Sequence, residues 1–241
     1  MKLTLLFSLA STAAAFAPTK NAGRVNTQVS SSMDELKEIA GKANPIIKYF
    51  DPLNLAEAGF FDTEDEVIGF LRQAEVKHGR VAMAAFVGYC VQSNGIRWPF
   101  PETLSGDPYP SSDLSPPEQW DALPYAAKFQ IIVFIGFLEW WSEYVGTHYM
   151  RGGKPGAFPA FSDNKGIIPH PLPLNLYDPF GFSKNRSEEA KASGLIKEIN
   201  NGRLAMLGII GFLSEQKIAG SVPLLTGIVK PYAGEPMAPF A

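Results

Sequence analysis

Cysteine is almost missing from this 241-residue chain: Cys90 is its only one, beside three histidines. No disulfide scaffold can form, and a Cys/His zinc cluster lacks ligands. Charge is sparse as well. Asp, Glu, Lys and Arg supply 19% of the residues, below the quarter usual in soluble domains. With 21 basic residues against 24 acidic ones the net charge is −3, so no basic face exists to displace counterions, which excludes nucleic-acid binding. Long apolar runs are lacking too. The longest charge-free stretches are residues 81–96, 129–138 and 204–214, of 16, 10 and 11 residues, where a conventional spanning helix needs about 20. Mean hydropathy near zero is too polar for an ordinary multi-pass transporter. Catalytic motifs are absent: Gly152-Gly-Lys-Pro-Gly156 has neither the first glycine spacing nor the Lys-Ser/Thr ending of a phosphate loop, and no G-x-S-x-G elbow occurs. His170, between two prolines, reads as a loop residue. Neither an enzyme nor a small-molecule substrate is expected.

What is present begins with an address. Residues 1–17 (MKLTLLFSLASTAAAFA) place one lysine before an apolar run and small residues, the layout of a signal peptide. The stretch that follows carries Lys20, Arg24 and many hydroxyls, and no acid occurs before Asp34. This resembles a bipartite presequence of plastids bounded by extra membranes, over residues 1–33, with Phe16 as the expected first residue of the transit part. From that segment alone, a plain secreted protein is the alternative.

Helix signals then occur three times. Thr63-Glu-Asp-Glu66 has capping-box spacing, and apolar periodicity runs on to Asn94-Gly95. Ser115-Pro-Pro-Glu118 offers a second start, but Pro124 suggests the regular helix begins there and continues to about residue 150. Ser187-Glu-Glu opens a third. The predicted helices cover 64–94, 124–150 and 187–219 within a domain of 34–241. At 1.5 Å per residue each is about 40–50 Å long, enough to cross a membrane with an overhang. Seven prolines in residues 97–124 and six in 155–180 mark the connections as turn-rich loops.

The chain also repeats itself. Residues 49–55 (YFDPLNL) precede the first helix and 176–182 (LYDPFGF) the third; within the helices, 75–83 (EVKHGRVAM) matches 198–206 (EINNGRLAM). Two copies of a turn plus helix imply a pseudo-twofold pair. Glu75 and Arg80 are five residues apart and point about 140° from each other on one helix, so they cannot pair there. Across a twofold, Glu75 meets Arg203 and Glu198 meets Arg80. Paired in this way the charges become tolerable inside a membrane, where each alone would cost about 3 kcal/mol. Gly79, Ala82, Ala85 and Gly88, copied by Gly202, Ala205, Gly208 and Gly211, predict a ridge of small residues along which the helices cross. The loop 97–123 has one basic residue and five acids, whereas 151–186 has five basic residues. The positive-inside rule then puts the N-terminus and the second loop on the stromal side.

A carboxylate holding an arginine through one oxygen keeps another for a cation. His78 and Asn201 follow Glu75 and Glu198 by three residues, and single ligands spread along helices suit a Mg²⁺ already held by four other atoms, as in a chlorin ring. Here the sequence resembles the light-harvesting chlorophyll-binding superfamily, through E-x-x-H-G-R-x-A-M and E-x-x-N-G-R-L-A-M. The F-A-P presequence and residues 148–156 (HYMRGGKPG) resemble its fucoxanthin–chlorophyll a/c-binding branch in diatoms and related algae.

The resemblance implies an all-α membrane protein of three transmembrane helices, the first and third crossed with pseudo-twofold symmetry. It implies Glu75, His78, Glu198 and Asn201 as chlorophyll ligands, with magnesium present only within chlorophyll. Gln130 and Glu139 resemble middle-helix ligands, with Glu143 as a neighbour that is solvent-facing on another reading. Glu215 or Gln216 takes the further ligand position on the third helix, and no histidine in residues 221–241 matches the C-terminal ligand of plant relatives. Asp51 and Asp178 resemble turns that hold carotenoid head groups. The implied cofactors are chlorophyll a, chlorophyll c and fucoxanthin, with diadinoxanthin as a candidate second carotenoid. The implied partners are the thylakoid lipid membrane, a photosystem I or II core and neighbouring antenna subunits, and the implied function is light harvesting. A photoprotective member that dissipates excitation, using lumenal acids, is the alternative.

Overall fold

The structure, a computed structural model, describes residues 33–161, 178, 180–182, 185–236 and 238–240. The expected presequence, Met33 apart, lies outside the described residues, as do Lys165, His170 and Lys184. The described residues form five helices and no strand: α1 (Met33–Ala43), α2 (Glu64–Ser93), α3 (Pro116–Asp121), α4 (Tyr125–Tyr144) and α5 (Glu188–Lys217). Single 3-10 turns lie at Leu55–Glu57 and Tyr149–Arg151. No helix among the described residues is long and apolar enough to cross a membrane.

Local chemistry sets the helix ends. The Thr63 hydroxyl accepts the Glu66 N–H at 3.3 Å while the Glu66 carboxylate accepts the Thr63 N–H at 3.2 Å, closing a capping box at the start of α2. Ser187 accepts the Ala190 N–H and starts α5. The region after Ser115 makes a helix of its own, α3, before Pro124 opens α4.

The middle helix is shorter than its sequence reading. It ends at Tyr144 rather than near Met150, because Val145 turns extended (φ −99°, ψ 136°) and Gly146 takes φ +83°. The cause is packing. Trp141, fully buried, clusters with Val145 and Phe161, and its indole N–H donates to the Pro159 carbonyl at 3.2 Å. The chain must double back after Val145 to bring Phe161 onto that ring.

α2 and α5 form the main pair and run in the same direction. A Cβ on Gly202 would lie 2.8 Å from the Gly79 Cα, and one on Gly79 would lie 3.0 Å from the Gly202 Cα. Among the glycines of the expected ridge, this pair is where the two backbones meet. Gly88 has nothing within 4 Å of a would-be Cβ, and Gly208 faces the Phe86 ring instead of backbone. Beyond the contact the helices diverge, and stacked Phe86, Phe212 and Tyr89 fill the wedge, with centroids 5.0 and 4.8 Å apart. α4 runs antiparallel to the pair. Among the described residues, the hydrogen bonds and ion pairs joining it to α2 are those of Lys77.

Candidate functional site

The site is built around the Gly79/Gly202 contact. Arg203 donates through Nε and Nη2 to Oε1 of Glu75, each at 2.7 Å. Arg80 donates through Nε to Oε1 of Glu198 at 2.5 Å. The charges of each helix are therefore satisfied by the other. With side chains 30–45% exposed, these pairs would be weak in water; in a lipid setting the same geometry is worth far more. Among the described residues no donor reaches the second oxygen of either glutamate.

The imidazole of His78 is prepared in a complementary way. Its Nδ1 lies 2.7 Å from the Ala74 carbonyl, and a carbonyl can only accept, so Nδ1 carries the proton. In the neutral ring this tautomer leaves the Nε2 lone pair for a metal, the arrangement metal-binding histidines adopt through a second hydrogen bond. Asn201, three residues after Glu198, has an exposed side chain, as does Gln130 on α4. The donor set fits magnesium in a chlorin: two carboxylate oxygens and an imidazole nitrogen, each alone and none converging. Among the described residues no cluster of three His, Cys, Asp or Glu could hold a bare metal ion.

The remaining candidates sit differently. Glu139 is exposed and forms an ion pair with Lys77, which also donates to Glu143 at 3.3 Å. Glu143 is not simply solvent-facing, since His148 Nε2 lies 2.8 Å from its other oxygen. Glu215 is buried, and both its oxygens are taken, by the Gly220 N–H at 2.9 Å and the Val222 N–H at 2.8 Å. It ties down the turn after α5. Gln216, also buried, accepts the Tyr89 hydroxyl at 2.6 Å through Oε1.

The two Asp turns share a hydrogen-bond pattern, although Asp178 itself is left-handed (φ +51°) and Asp51 is not. Asp51 accepts the Leu55 N–H at 2.9 Å and Asp178 the Phe182 N–H at 2.6 Å, both four residues on. The third residue after each aspartate is left-handed, Asn54 at φ +51° and Gly181 at φ +73°, a conformation that Asn and Gly tolerate. The Ala56 and Leu55 N–H groups hold the Asp51 carboxyl below its ordinary pKa.

Three partners escaped the sequence reading: Gln73, Gly156 and Lys77. Gly156 donates its N–H to Gln73 at 2.6 Å and accepts Arg80 Nη1 at 2.6 Å, so the loop after α4 grips α2 beside the ion pair. Gln73 lies seven residues before Arg80, two helical turns along one face, and that spacing is the signal that could have found it.

At the opposite end, the loop 97–123 is bound to the C-terminal tail. The Tyr232 hydroxyl donates to Asp121 at 2.6 Å, Lys230 donates to the Ser112 and Asp113 carbonyls, and the Trp120 indole N–H donates to the Pro239 carbonyl at 3.1 Å. Ser115 holds the Glu118 carboxyl below its ordinary pKa through its hydroxyl and its N–H, and the bond to Asp121 pushes the Tyr232 phenol up to about 12.

Residues 34–217 match the family model described as chlorophyll A-B binding protein. The chain is 33% identical to a chloroplastic fucoxanthin-chlorophyll a-c binding protein of Trieres chinensis, over 93% of this chain and 98% of that one. It is 35% identical to the F protein of that name in Phaeodactylum tricornutum (92% and 98%), and 31% identical to a B protein of Macrocystis pyrifera (75% and 73%). The chain belongs to the chlorophyll a-b binding protein family.

Proposed function

We propose that this chain is a light-harvesting antenna protein that binds chlorophyll a, chlorophyll c and fucoxanthin in a plastid thylakoid membrane and passes excitation toward a photosystem. One observation carries the reading. Two glutamates, Glu75 and Glu198, each give one oxygen to an arginine of the opposite helix and keep the other, next to His78 and Asn201. The names of the similar proteins supply the pigment classes and the chloroplast.

Bound chlorophylls would supply absorption and excitation transfer; the protein's part is positional. Glu75, Glu198, His78 and Asn201 would hold the magnesium of chlorophylls, and Gln130 and Glu139 would do so from α4. The bond to Ala74 fixes the His78 tautomer, and the crossed ion pairs fix both glutamates, so ligand directions are set before a pigment arrives. Glu215 and Gln216 present no free oxygen and are left out of this ligand set. Asp51 and Asp178, in their matched turns, would seat carotenoid head groups. The protein's work is thus non-catalytic.

Three membrane crossings, by α2, α4 and α5, follow from the same reasoning. At 20 residues α4 is about 30 Å long, the thickness of a hydrocarbon core. Of the charges that keep α2 and α5 from reading as apolar, the four nearest the helix contact, Glu75, Arg80, Glu198 and Arg203, pair across it. The positive-inside rule places the N-terminus on the stromal side, with the loop 97–123 and the C-terminal tail in the lumen. The family match starts at residue 34, where the presequence reading ends.

Purification from native membranes followed by pigment extraction tests the reading: chlorophylls and a carotenoid are expected, and a folded but colourless protein overturns it. A fluorescence lifetime on the isolated complex separates collection, with a long lifetime, from dissipation, with a short one.

A further inference from the structure

α4 carries a third glutamate in the same electrostatic state as Glu75 and Glu198. Glu139 lies on the side of α4 that faces α2, and Lys77 reaches it through Oε2. Among the described residues no donor reaches Oε1, and the side chain is 56% exposed. The cation comes from the other helix, as it does for Glu75 and Glu198. Lys77 directly precedes His78, so one turn of α2 presents an imidazole and an ammonium on neighbouring faces.

We infer that Lys77 is the positioning residue for a third ion-paired carboxylate ligand: it neutralises Glu139 across the gap to α4 and turns the remaining oxygen toward a magnesium centre. The inference rests on the antenna reading above. A second contact aims the lysine. Glu143, one turn further along α4, accepts from Lys77 at 3.3 Å and is itself held by His148 at 2.8 Å. An ammonium has three donors and no plane, so it can serve two carboxylates at once. The backbone of α4 does not pack on α2, so no other described polar contact would keep Glu139 at a fixed distance from that helix. Without the lysine, the Glu139 side chain would have no described contact holding it toward α2 and would turn toward water, and the ligand is lost.

The test uses the full chain assembled with a pigment extract containing chlorophyll a, chlorophyll c and fucoxanthin. Chlorophyll per polypeptide is counted, and absorption difference spectra are recorded for wild type, Lys77→Met, Lys77→Arg and Glu139→Ala. The expected result is that Lys77→Met and Glu139→Ala each lose one chlorophyll and the same absorption band, while Lys77→Arg keeps both. A full complement in Lys77→Met, a missing band different from that of Glu139→Ala, or no rescue by Lys77→Arg overturns the inference. So does a Lys77→Met chain that fails to assemble where Glu139→Ala assembles one chlorophyll short, because the lysine then serves the fold and not the ligand. A wild-type chain that assembles without chlorophyll instead ends the antenna reading itself.

Discussion

Gly79 and Gly202 meet backbone to backbone, and neither has room for a methyl group that the other would not feel. Gly202→Ala should be the more damaging change, since its Cβ would lie 2.8 Å from main chain that cannot swing aside. Overpacking of this kind costs about 1–3 kcal/mol. Gly88→Ala, with open space around it, should be neutral or slightly stabilising through helix propensity. Thermal melts of the two pigmented variants should differ in that order.

Removing one arginine leaves a carboxylate unmatched. Arg80→Leu and Arg203→Leu should each cost about 3 kcal/mol if the pairs lie in lipid, and should lower pigmented yield steeply. Arg80→Leu should be the worse of the two, because it also frees the Gly156 carbonyl. Equal, unchanged yields would refute the crossed pairing as an assembly requirement.

Gly156 sits at φ +77°, and a Cβ there would approach Val76 Cγ1 to 2.8 Å and Arg80 Nη2 to 3.2 Å. Gly156→Ala should therefore combine backbone strain with displacement of the arginine, for a loss of about 1–3 kcal/mol. The chlorophyll nearest Glu198 should be depleted first when pigments are extracted and counted.

Acid should spare the Ser115–Glu118 box across the mild range. A carboxyl held below its usual pKa of 4.5 gives stability that is complete above that value and is lost only as pH falls through the lowered one. The phenol of Tyr232 has the opposite sign: its bond to Asp121 is intact below pH 10 and is lost as pH rises through about 12. A titration of far-UV helicity and tyrosine absorbance between pH 5 and 9 should show neither group changing.

Glu215→Ala should loosen the turn over residues 218–222 and lower the melting temperature while leaving chlorophyll per polypeptide unchanged. A variant short of one chlorophyll would restore Glu215 as a ligand.

Much of this architecture was legible because it is written twice. The duplicated E-x-x-x-G-R pattern put Glu75 opposite Arg203 and Glu198 opposite Arg80, since neither charge had a partner on its own helix. The Asp turns were legible for the same reason. The end of α4 was not, because it depends on Phe161 folding back onto Trp141, a contact with no periodic signature. The ridge of small residues did not reveal which of its glycines meet backbone to backbone, since spacing alone does not show where two oblique helices part. Lys77 and Gly156 were missed because each acts across helices without a copy in the second half.

Among the described residues, the grip of Gly156 on Gln73 and Arg80 has no hydrogen-bonded twin at Arg203, so the two halves of the pair are alike in sequence but unequal in their contacts. Glu198 is steadied by a loop acting through its arginine, whereas Glu75 and Arg203 lie beside Leu36, Ile39 and Ala40 of α1. Chromophores seated at these mirror positions would then differ in colour, and a small energy step would be written into what looks at first like a symmetric frame.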